Sequence, residues 1–439
     1  MRPLISVLTL AGLLGLAWPA VAQESGEDTG AERESGDWGS EEDWGDPWAS
    51  EEDTGLRWTG FVEGALGARW ADVDNLDALT LGDLRLRAET GYDFESIRLD
   101  FKADLNWDQV VEELDAKLRE LAASFRVGGS TDVKAGRQVL TWGTGDLLFL
   151  NDLFPKDFIS FFAGRDDEYL KAPSDTLRVS YYAEAFNTEV AWTPKFTPDN
   201  YVYGERFAFY DPRLGDAVAP ENPRKASEPG NGEVALRLFR TVAGTEWALY
   251  GYLGRWKQPV GVRPSGQPWF PEMNAWGGSV RTTLGPGILN SEFSWYDSRD
   301  DRDGDDPLVP NSQLRFLVGY EQELVANLTA GGQLYAEHIL DHDRLMEASP
   351  DPASEPEEWR TVVTLRLTHR AFRETLTSSF FAFWSPNEGD FYLRPNMAWR
   401  RDDHWTFSGG FNLFGGDVET MFGQLEDNSN GWLRMRYNY

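Results

Sequence analysis

The side chains best suited to bind or transfer a solute lie in and just after one otherwise strongly apolar stretch, from Val133 to Phe162. An alternating segment runs into a segment rich in leucine and phenylalanine. Loops that face water rarely carry so much apolar area, because burying that area is favourable. The pattern predicts a loop that folds inward and brings together Arg137, Gln138, Trp142, Asp146, Asp152, Lys156, Asp157 and Arg165. The alternative is a hydrophobic cap that packs on neighbouring loops.

Arg137 lies in phase with the apolar residues Val133 and Val139, which is unfavourable for a charged side chain. A β-bulge adds one residue to a strand and changes the direction of the side chains that follow it. We therefore predict a bulge at Gly136 that turns Arg137 toward the inside.

Arginines recur on the polar side of other alternating segments. The candidate binding wall consists of Arg85, Arg87, Arg98, Arg360, Arg366, Arg394, Arg400, Arg434 and Arg436. Guanidinium groups bind carboxylates and phosphates through paired hydrogen bonds, so such a wall would attract anions. The other interpretation is that these arginines pair with carboxylates such as Glu89, Asp100 and Glu337 and so hold the shape of the interior.

Neither catalysis nor a cofactor is expected from the sequence. The chain has no Cys and only 4 His, and it contains no GxSxG motif. Two acidic segments, 300–306 and 338–343, keep no complete metal-binding spacing and are interpreted as solvated loops. Calcium or magnesium bridging to surface lipopolysaccharide is the remaining idea for them. We predict no catalytic residue and no metal site.

Short alternating segments separated by turn signals fill the chain from Trp58 to Tyr439. Between residues 97 and 107, for example, every second residue is apolar and the intervening ones are mainly charged. This pattern is typical of a strand between an apolar and a wet environment. We predict an all-β fold, a transmembrane antiparallel up-and-down β-barrel of about eighteen strands: 58–70, 83–93, 96–107, 116–127, 131–142, 174–183, 185–194, 231–240, 245–256, 273–284, 287–297, 311–323, 326–338, 358–370, 374–385, 390–400, 403–413 and 429–439.

The connections between these strands alternate between short and long, as they do in outer-membrane barrels with short periplasmic turns. An even strand number then places both termini on the periplasmic side. Sixteen strands is the alternative, because residues 108–123 also fit a helical spacing.

The final strand, which ends on the aromatic Tyr439, is predicted to pair with the first strand and close the barrel. The expected partners of the barrel are outer-membrane lipid and lipopolysaccharide. The barrel-assembly machinery is expected to contact the last strand through Leu433, Met435, Tyr437 and Tyr439.

The N-terminal region divides into two segments that precede the barrel domain of residues 56–439. Residues 1–22 carry Arg2, an apolar run and a small-residue cleavage pattern, which predicts a secretory signal peptide. Residues 23–55 are acidic and of low complexity, which predicts a disordered periplasmic tail. The alternative for this tail is that its tryptophans bind a periplasmic partner. A formal net charge of -32 argues against a nucleic-acid partner.

Several features resemble bacterial outer-membrane porin-type barrels, in particular the alginate-export group and related uncharacterised families. They are the Gly136-Arg137-Gln138 segment that ends in Trp142-Gly143, the loop that follows, the APSDTLRVSYY segment and the closing strand. The resemblance spans Trp58 to Tyr439 and implies a monomeric barrel for diffusion or export of a hydrophilic solute. In the alginate-export group a tyrosine-and-arginine pattern follows the GRQ triplet, whereas WGTGD stands near it here.

The sequence therefore predicts an outer-membrane channel for passive passage or export of a hydrophilic, anionic solute. The alternative is a plugged structural barrel of an envelope complex, in which residues 23–55 bind a periplasmic partner.

Overall fold

The computed structural model describes residues 56–211 and 214–439, and in them the chain forms a closed antiparallel sheet of eighteen strands. Numbered in chain order as β1 to β18, the strands are Thr59–Arg69, Leu79–Phe94, Ile97–Asp108, Glu113–Val127, Thr131–Val139, Pro173–Tyr181, Asn187–Thr193, Glu233–Val242, Thr245–Arg255, Glu272–Leu284, Gly287–Ser298, Gln313–Val325, Leu328–Ile339, Trp359–Ala371, Leu376–Trp384, Phe391–Arg400, Trp405–Gly415 and Asn430–Asn438. The predicted barrel and its eighteen strands are confirmed.

The sixteen-strand alternative is wrong, because the segment that also fits a helical spacing forms β4 and pairs with β3 and β5. The predicted signal peptide, 1–22, and the predicted acidic tail, 23–55, lie outside the described residues.

The first and last strands close the barrel. In the register of β1 with β18, Val62 lies opposite Tyr437 and Leu66 lies opposite Leu433. Tyr439 extends this seam: its backbone N–H donates to the carbonyl of Gly60 at 3.0 Å, and its hydroxyl donates to the carbonyl of Arg87 at 2.7 Å. Tyr439 is therefore held by the seam, in agreement with the strand pattern that runs through this residue.

The outward faces of the strands are apolar and carry aromatic residues near both ends of the barrel. Near the short turns the exposed aromatic side chains include Trp58, Tyr92, Phe94, Tyr181, Trp247 and Trp399. Near the long loops they include Trp70, Trp107, Trp192, Trp276, Trp295, Trp359 and Trp384. The side chains that face the lumen are mainly polar or charged, as the period of two requires.

The longest connections carry the remaining regular structure. The loop between β5 and β6, residues 140–172, contains helix α1, Phe158–Ala163, and a 3-10 turn, Asp167–Leu170. Helix α2, His342–Ala348, lies between β13 and β14, and further 3-10 turns are Pro352–Ser354 and Gly423–Asn428. Two small hairpins, Phe209–Asp211 with Asp216–Val218 and Gly261–Val262 with Pro268–Trp269, lie in other long loops. Among the described residues, no helix has the length and apolarity needed to span a membrane.

Local sequence determines where α1 begins and ends. The Asp157 side chain accepts the backbone N–H of Ser160 at 2.8 Å, which caps the first turn. Gly164 ends the helix in a left-handed conformation with φ 83°, and a Cβ atom there would collide with the indole of Trp432 on β18. This glycine therefore allows α1 to approach the barrel wall.

Two glycines of β1 offer a matched test of the seam. A Cβ atom on Gly60 would collide with the carbonyl of Arg87 and lie 2.8 Å from the Tyr439 hydroxyl, whereas one on Gly64 would meet no atom within 4 Å. We expect Gly60→Ala to lower the free energy of unfolding by about 1–3 kcal/mol through overpacking, and Gly64→Ala to have no destabilising effect. Guanidinium titration of the folded barrel in detergent measures both, and equal midpoints for the two variants would contradict this description of the seam.

Candidate functional site

The loop of residues 140–172, called the inward loop below, enters the lumen through an aromatic contact. Trp142 packs edge-on against Phe154 with ring centroids 4.9 Å apart, and it lies 6.3 Å from the ring of Tyr250 on β9. The small side chains of Ala235 and Ala275 leave room for these rings. Trp142 therefore anchors the loop by packing.

A buried carboxylate of the wall holds the same part of the inward loop. Glu292 on β11 accepts the backbone N–H of Gly145 and the side-chain amide of Asn151, both at 2.8 Å. It also accepts the backbone N–H of Thr144 and the hydroxyl of that residue. Four donors of the inward loop thus surround one carboxylate, which fixes the start of the loop to the wall.

An aromatic cluster holds the middle of the inward loop. Phe162 lies edge-on to Phe414 with ring centroids 5.4 Å apart, and both Phe161 and Phe162 lie edge-on to Tyr392 at 5.8 Å. The carbonyl of Phe162 accepts the side-chain amides of Asn412 at 2.9 Å and Asn430 at 3.0 Å. These partners belong to lumen-facing positions of β16, β17 and β18, so the loop folds inward as predicted and does not form a cap over other loops.

Three consecutive carboxylates of the inward loop, Asp166, Asp167 and Glu168, form what we call the acidic latch. Asp166 pairs with Arg436 at 2.9 Å and with Arg434 at 3.5 Å. Asp167 pairs with Arg394. Glu168 pairs with Arg87 and lies 3.8 Å from Arg119. A fourth carboxylate of the loop, Asp146, accepts two hydrogen bonds from Arg366 on β14, one of them from Nη2 at 2.7 Å.

The wall beneath the latch carries more arginine than carboxylate. Its arginines, called the arginine wall below, are Arg85, Arg87, Arg119, Arg394, Arg434 and Arg436. The barrel supplies three carboxylates to the same network: Asp83 pairs with Arg85 at 2.8 Å, Asp104 with Arg87 at 2.7 Å, and Glu63 with Arg436 at 2.7 Å. The three remaining positive charges are balanced by the acidic latch.

The latch carboxylates are half-buried while their neighbours are fully buried. The exposed fractions of the side chains are 27% for Asp166, 19% for Asp167 and 38% for Glu168. Arg165 and Tyr169, on either side, are buried, and Arg165 pairs with Asp83 at 2.7 Å. Water in the lumen therefore reaches the latch.

Burial by itself would raise the pKa of the Asp166 carboxyl, but attraction to Arg434 and Arg436 lowers this pKa from 3.8 to about 2. Because the value in the folded protein is the lower one, these ion pairs stabilise the barrel above about pH 4. The stabilisation is lost as the pH falls through about 2.

Arg137 does not enter the lumen. The register of β5 runs without a shift against both β4 and β6, so the predicted bulge at Gly136 is wrong. Arg137 keeps the phase of Val133 on the outward face and pairs with Asp175 at 3.5 Å. Gly136 absorbs the local distortion through its positive φ of 129°, and no residue is inserted.

The other predicted loop residues lie on or near the inward loop but have mostly structural contacts. Gln138 is buried and donates to the carbonyl of Thr176 at 3.0 Å. Asp152 pairs with the buried Lys156 at 3.0 Å, and Asp157 caps α1. Asp146 and Arg165 reach the wall, as described above. Only part of the predicted set therefore faces the charged network.

The predicted arginine set also divides. Arg85, Arg87, Arg366, Arg394, Arg434 and Arg436 contact the inward loop. Arg98 instead pairs with Asp100 at 2.9 Å and Arg360 with Glu388 at 2.8 Å, away from the latch. Arg400 lies at the short-turn end of β16 and is exposed.

Sequence reasoning missed Arg119, and it placed Glu292 among the lumen carboxylates that pair with arginines, whereas Glu292 binds the inward loop. Arg119 is an extra residue in β4, because the register with β3 shifts where Lys102 faces Glu120 and Ala103 faces Leu118. This bulge disturbs the alternation that would have placed Arg119 in the lumen. Glu292 follows the alternation, but its role depends on donors from a loop distant in sequence, which strand periodicity does not reveal.

Loss of one latch charge tests these assignments. We expect Asp166→Asn to lower the free energy of unfolding by about 2 kcal/mol at pH 7, the size implied by its pKa shift. The difference from the wild type should narrow as the pH falls toward 2. The matched control is Asp303→Asn in an outer loop, where the side chain is 81% exposed. Denaturant midpoints of the wild type and both variants are measured at the two pH values. Equal midpoints for the wild type and Asp166→Asn at pH 7 would contradict the ion-pair assignment.

Comparison with known proteins gives similarity in fold. No protein-family model matches the sequence, and no curated protein matches it. Among solved structures, Acinetobacter baumannii OccAB3 matches with a TM-score of 0.52 and 9% identity, covering 88% of this chain and 99% of that one. Pseudomonas aeruginosa OccK5 (OpdH) matches with a TM-score of 0.50 and 11% identity, covering 88% and 97%.

Pseudomonas aeruginosa OccK11 (OpdR) also matches, with a TM-score of 0.50, 8% identity, and coverage of 88% of this chain and 95% of that one. At such identities the likeness extends to the fold alone. The chain shares with these proteins a closed antiparallel β-barrel that spans nearly the whole of each of them.

Proposed function

We propose that the protein is an outer-membrane channel in which hydrophilic solutes, with a preference for anions, pass between the inward loop and the arginine wall. The observation that carries this proposal is that the barrel strands alone supply six arginines but three carboxylates at the level where the inward loop narrows the barrel. The proposal that solutes pass through is supported by the partial exposure of the latch carboxylates, which leaves them accessible to water in the lumen.

The outer surface supports a location in a membrane. Apolar outward faces with aromatic residues near both rims match a bilayer core between two interfaces. Short turns on the side of both described ends match the periplasmic side, and the sequence of residues 1–22 matches an export signal. Outer-membrane lipid and lipopolysaccharide would then surround the barrel.

The last strand supports a role in assembly. Leu433, Met435 and Tyr439 are exposed on the outward side of the seam, in phase with Tyr437. Before closure this edge would be unpaired, and an unpaired edge is a template for another strand. We propose that the barrel-assembly machinery binds it at that stage.

The distribution of charge along the lumen supports selection of anions at the level of the arginine wall. Toward the short turns, positive and negative side chains pair on the barrel itself, as in Lys102 with Glu89 at 3.2 Å and Lys134 with Glu120 at 2.7 Å. At the arginine wall, by contrast, the barrel supplies three carboxylates for six arginines, and the inward loop supplies three more. A desolvated guanidinium cluster attracts anions more strongly than exposed charges do. The wall is therefore the expected selectivity element.

Ion selectivity tests the proposal directly. In a planar bilayer with a potassium chloride gradient, we expect the wild type to show a reversal potential that favours chloride. Arg394→Gln combined with Arg434→Gln and Arg436→Gln should move the permeability ratio toward unity. The matched control replaces outer-loop arginines, Arg263→Gln and Arg344→Gln, and should keep the wild-type ratio. Cation preference in the wild type, or equal effects of both replacements, would contradict the proposal.

A second candidate function is a plugged scaffold within an envelope complex. It is favoured by the aromatic cluster in the lumen, in which Tyr392 and Leu317 are 0% exposed. Deleting residues 147–162, which carry much of the cluster, separates the two functions. A wild type that conducts, and conducts more after the deletion, supports the channel. A silent wild type that conducts only after the deletion supports the plug.

The scaffold also requires a partner for the acidic tail. Its test is the mass of the native particle extracted from outer membranes, with and without residues 23–55. A particle that is larger than the barrel and that shrinks by more than the tail itself on deletion supports a bound periplasmic partner. An unchanged assembly argues against one.

A further inference from the structure

The acidic latch occupies the surface at which a permeating anion would bind. Its three carboxylates come from consecutive residues, yet they reach arginines on four different strands: β2, β4, β16 and β18. A small molecule with several carboxylates would contact the same arginines in the same way. We infer that the acidic latch is a tethered competitor for the arginine wall, which a multivalent anion displaces to open the constriction.

The fit of the latch to the wall is incomplete. Arg394 is 4% exposed, and its Nε atom has no hydrogen-bond partner among the described residues. Nη1 of Arg434 is likewise buried without a partner in the described part of the chain. Buried donors without partners are unfavourable, so an anion that satisfies them gains free energy that the latch does not. Displacement is therefore favourable for a ligand of suitable shape.

Valence determines which anions compete. The latch carboxylates are held beside the wall by the loop, which gives them an effective concentration on the order of millimolar or above. A monovalent anion replaces one contact at a time and meets this competitor at each arginine. An anion with several carboxylates or phosphates replaces several contacts in one binding event. The expected ligand class is therefore a small multivalent anion, and chloride is a poor substitute.

The inward loop is fixed on both sides of the latch, because Arg165 and Tyr169 are buried and Arg165 pairs with Asp83, so the half-buried carboxylates are the groups that can exchange partners. Its first part is held by Glu292 through hydrogen bonds that contain no cationic side chain, so anions do not compete for them. The latch, like Asp146 with Arg366, is held by ion pairs with the wall, which anions and salt weaken. Gly164, between α1 and the latch, lies in the left-handed region and separates the two parts.

The test compares open-state occupancy in single-channel recordings, and it rests on the proposed channel function. The latch variant is Asp166→Asn, Asp167→Asn and Glu168→Gln. The control removes three other lumen carboxylates, through Glu89→Gln, Asp100→Asn and Glu120→Gln, which pair with barrel side chains outside the latch. Heat-modifiable migration on gels verifies that each barrel is folded. The anion probes are potassium citrate and potassium chloride at equal ionic strength.

We expect citrate, and not chloride, to raise the open-state occupancy of the wild type. The latch variant should be open without citrate, with an occupancy about tenfold above the wild type, and it should respond little to citrate. The control variant should retain the citrate response. The citrate titration of the wild type requires no substitution, so it decides the question even if the latch variant does not fold.

Three other outcomes are distinguishable. A wild type that conducts steadily with chloride preference and ignores both citrate and latch replacement would overturn the latch while leaving the proposed channel intact. Equal effects of the latch and control replacements would mean that any lumen carboxylate has the same influence, and this would overturn the proposed role of the latch. Silence of every folded variant, with and without citrate, would overturn both the latch and the channel.

Discussion

A closed sheet of eighteen strands encloses more space than its own side chains fill, so another part of the chain must fill the lumen or leave it open to water. A long segment between β5 and β6 crosses the lumen and contacts β9, β11, β14, β16 and β18. Such a segment brings backbone groups and charges away from bulk water, so each must find a partner. The donors around Glu292, the amides at the Phe162 carbonyl and the ion pairs of the latch supply these partners.

These contacts differ in their sensitivity to salt, which affects how firmly each part of the inward loop is held. Aromatic packing and buried hydrogen bonds depend little on ionic strength, whereas ion pairs exposed to water in the lumen are screened by salt. Packing and buried hydrogen bonds hold most of the start and middle of the inward loop, where Asp146 adds an ion pair with Arg366, whereas the latch is held by ion pairs. The contacts of the loop that are most sensitive to salt therefore lie against the arginine wall, where an anionic solute would bind. Selectivity and access would then depend on the same group of arginines.

The fold could be predicted from the sequence to a degree that the site could not. Period-two alternation over segments such as 97–107 depends only on local side-chain direction, so it located all eighteen strands, including β4. The apolar stretch after Trp142 predicted an inward loop for a similar reason, because apolar area must be buried somewhere. The partners of that loop lie more than 200 residues away in several cases, as for Asp167 and Arg394. No local pattern encodes such pairs.

Local irregularities explain the individual errors. Arg137 was expected in the lumen because a charge on an apolar face is unfavourable, but Asp175 on the neighbouring strand provides a partner there. Arg119 was overlooked because an actual bulge lies in β4, where the alternation gave no clear signal. In both cases the phase of one arginine depended on a register that only the pairing of two strands defines.

Passage of anions along the arginine wall can be measured by charge-selective labelling of a thiol placed beyond the wall. The chain has no Cys, so one thiol can be introduced at Ser379, a lumen-facing position on β15 nearer the short turns than Phe381. Anionic and cationic methanethiosulfonates of similar size are added from the long-loop side, and their rates are normalised to a cysteine at Ser265 in an outer hairpin. We expect faster labelling by the anionic reagent, and the preference should be lost when Arg394, Arg434 and Arg436 are replaced. Equal rates, or faster labelling by the cationic reagent, would contradict it.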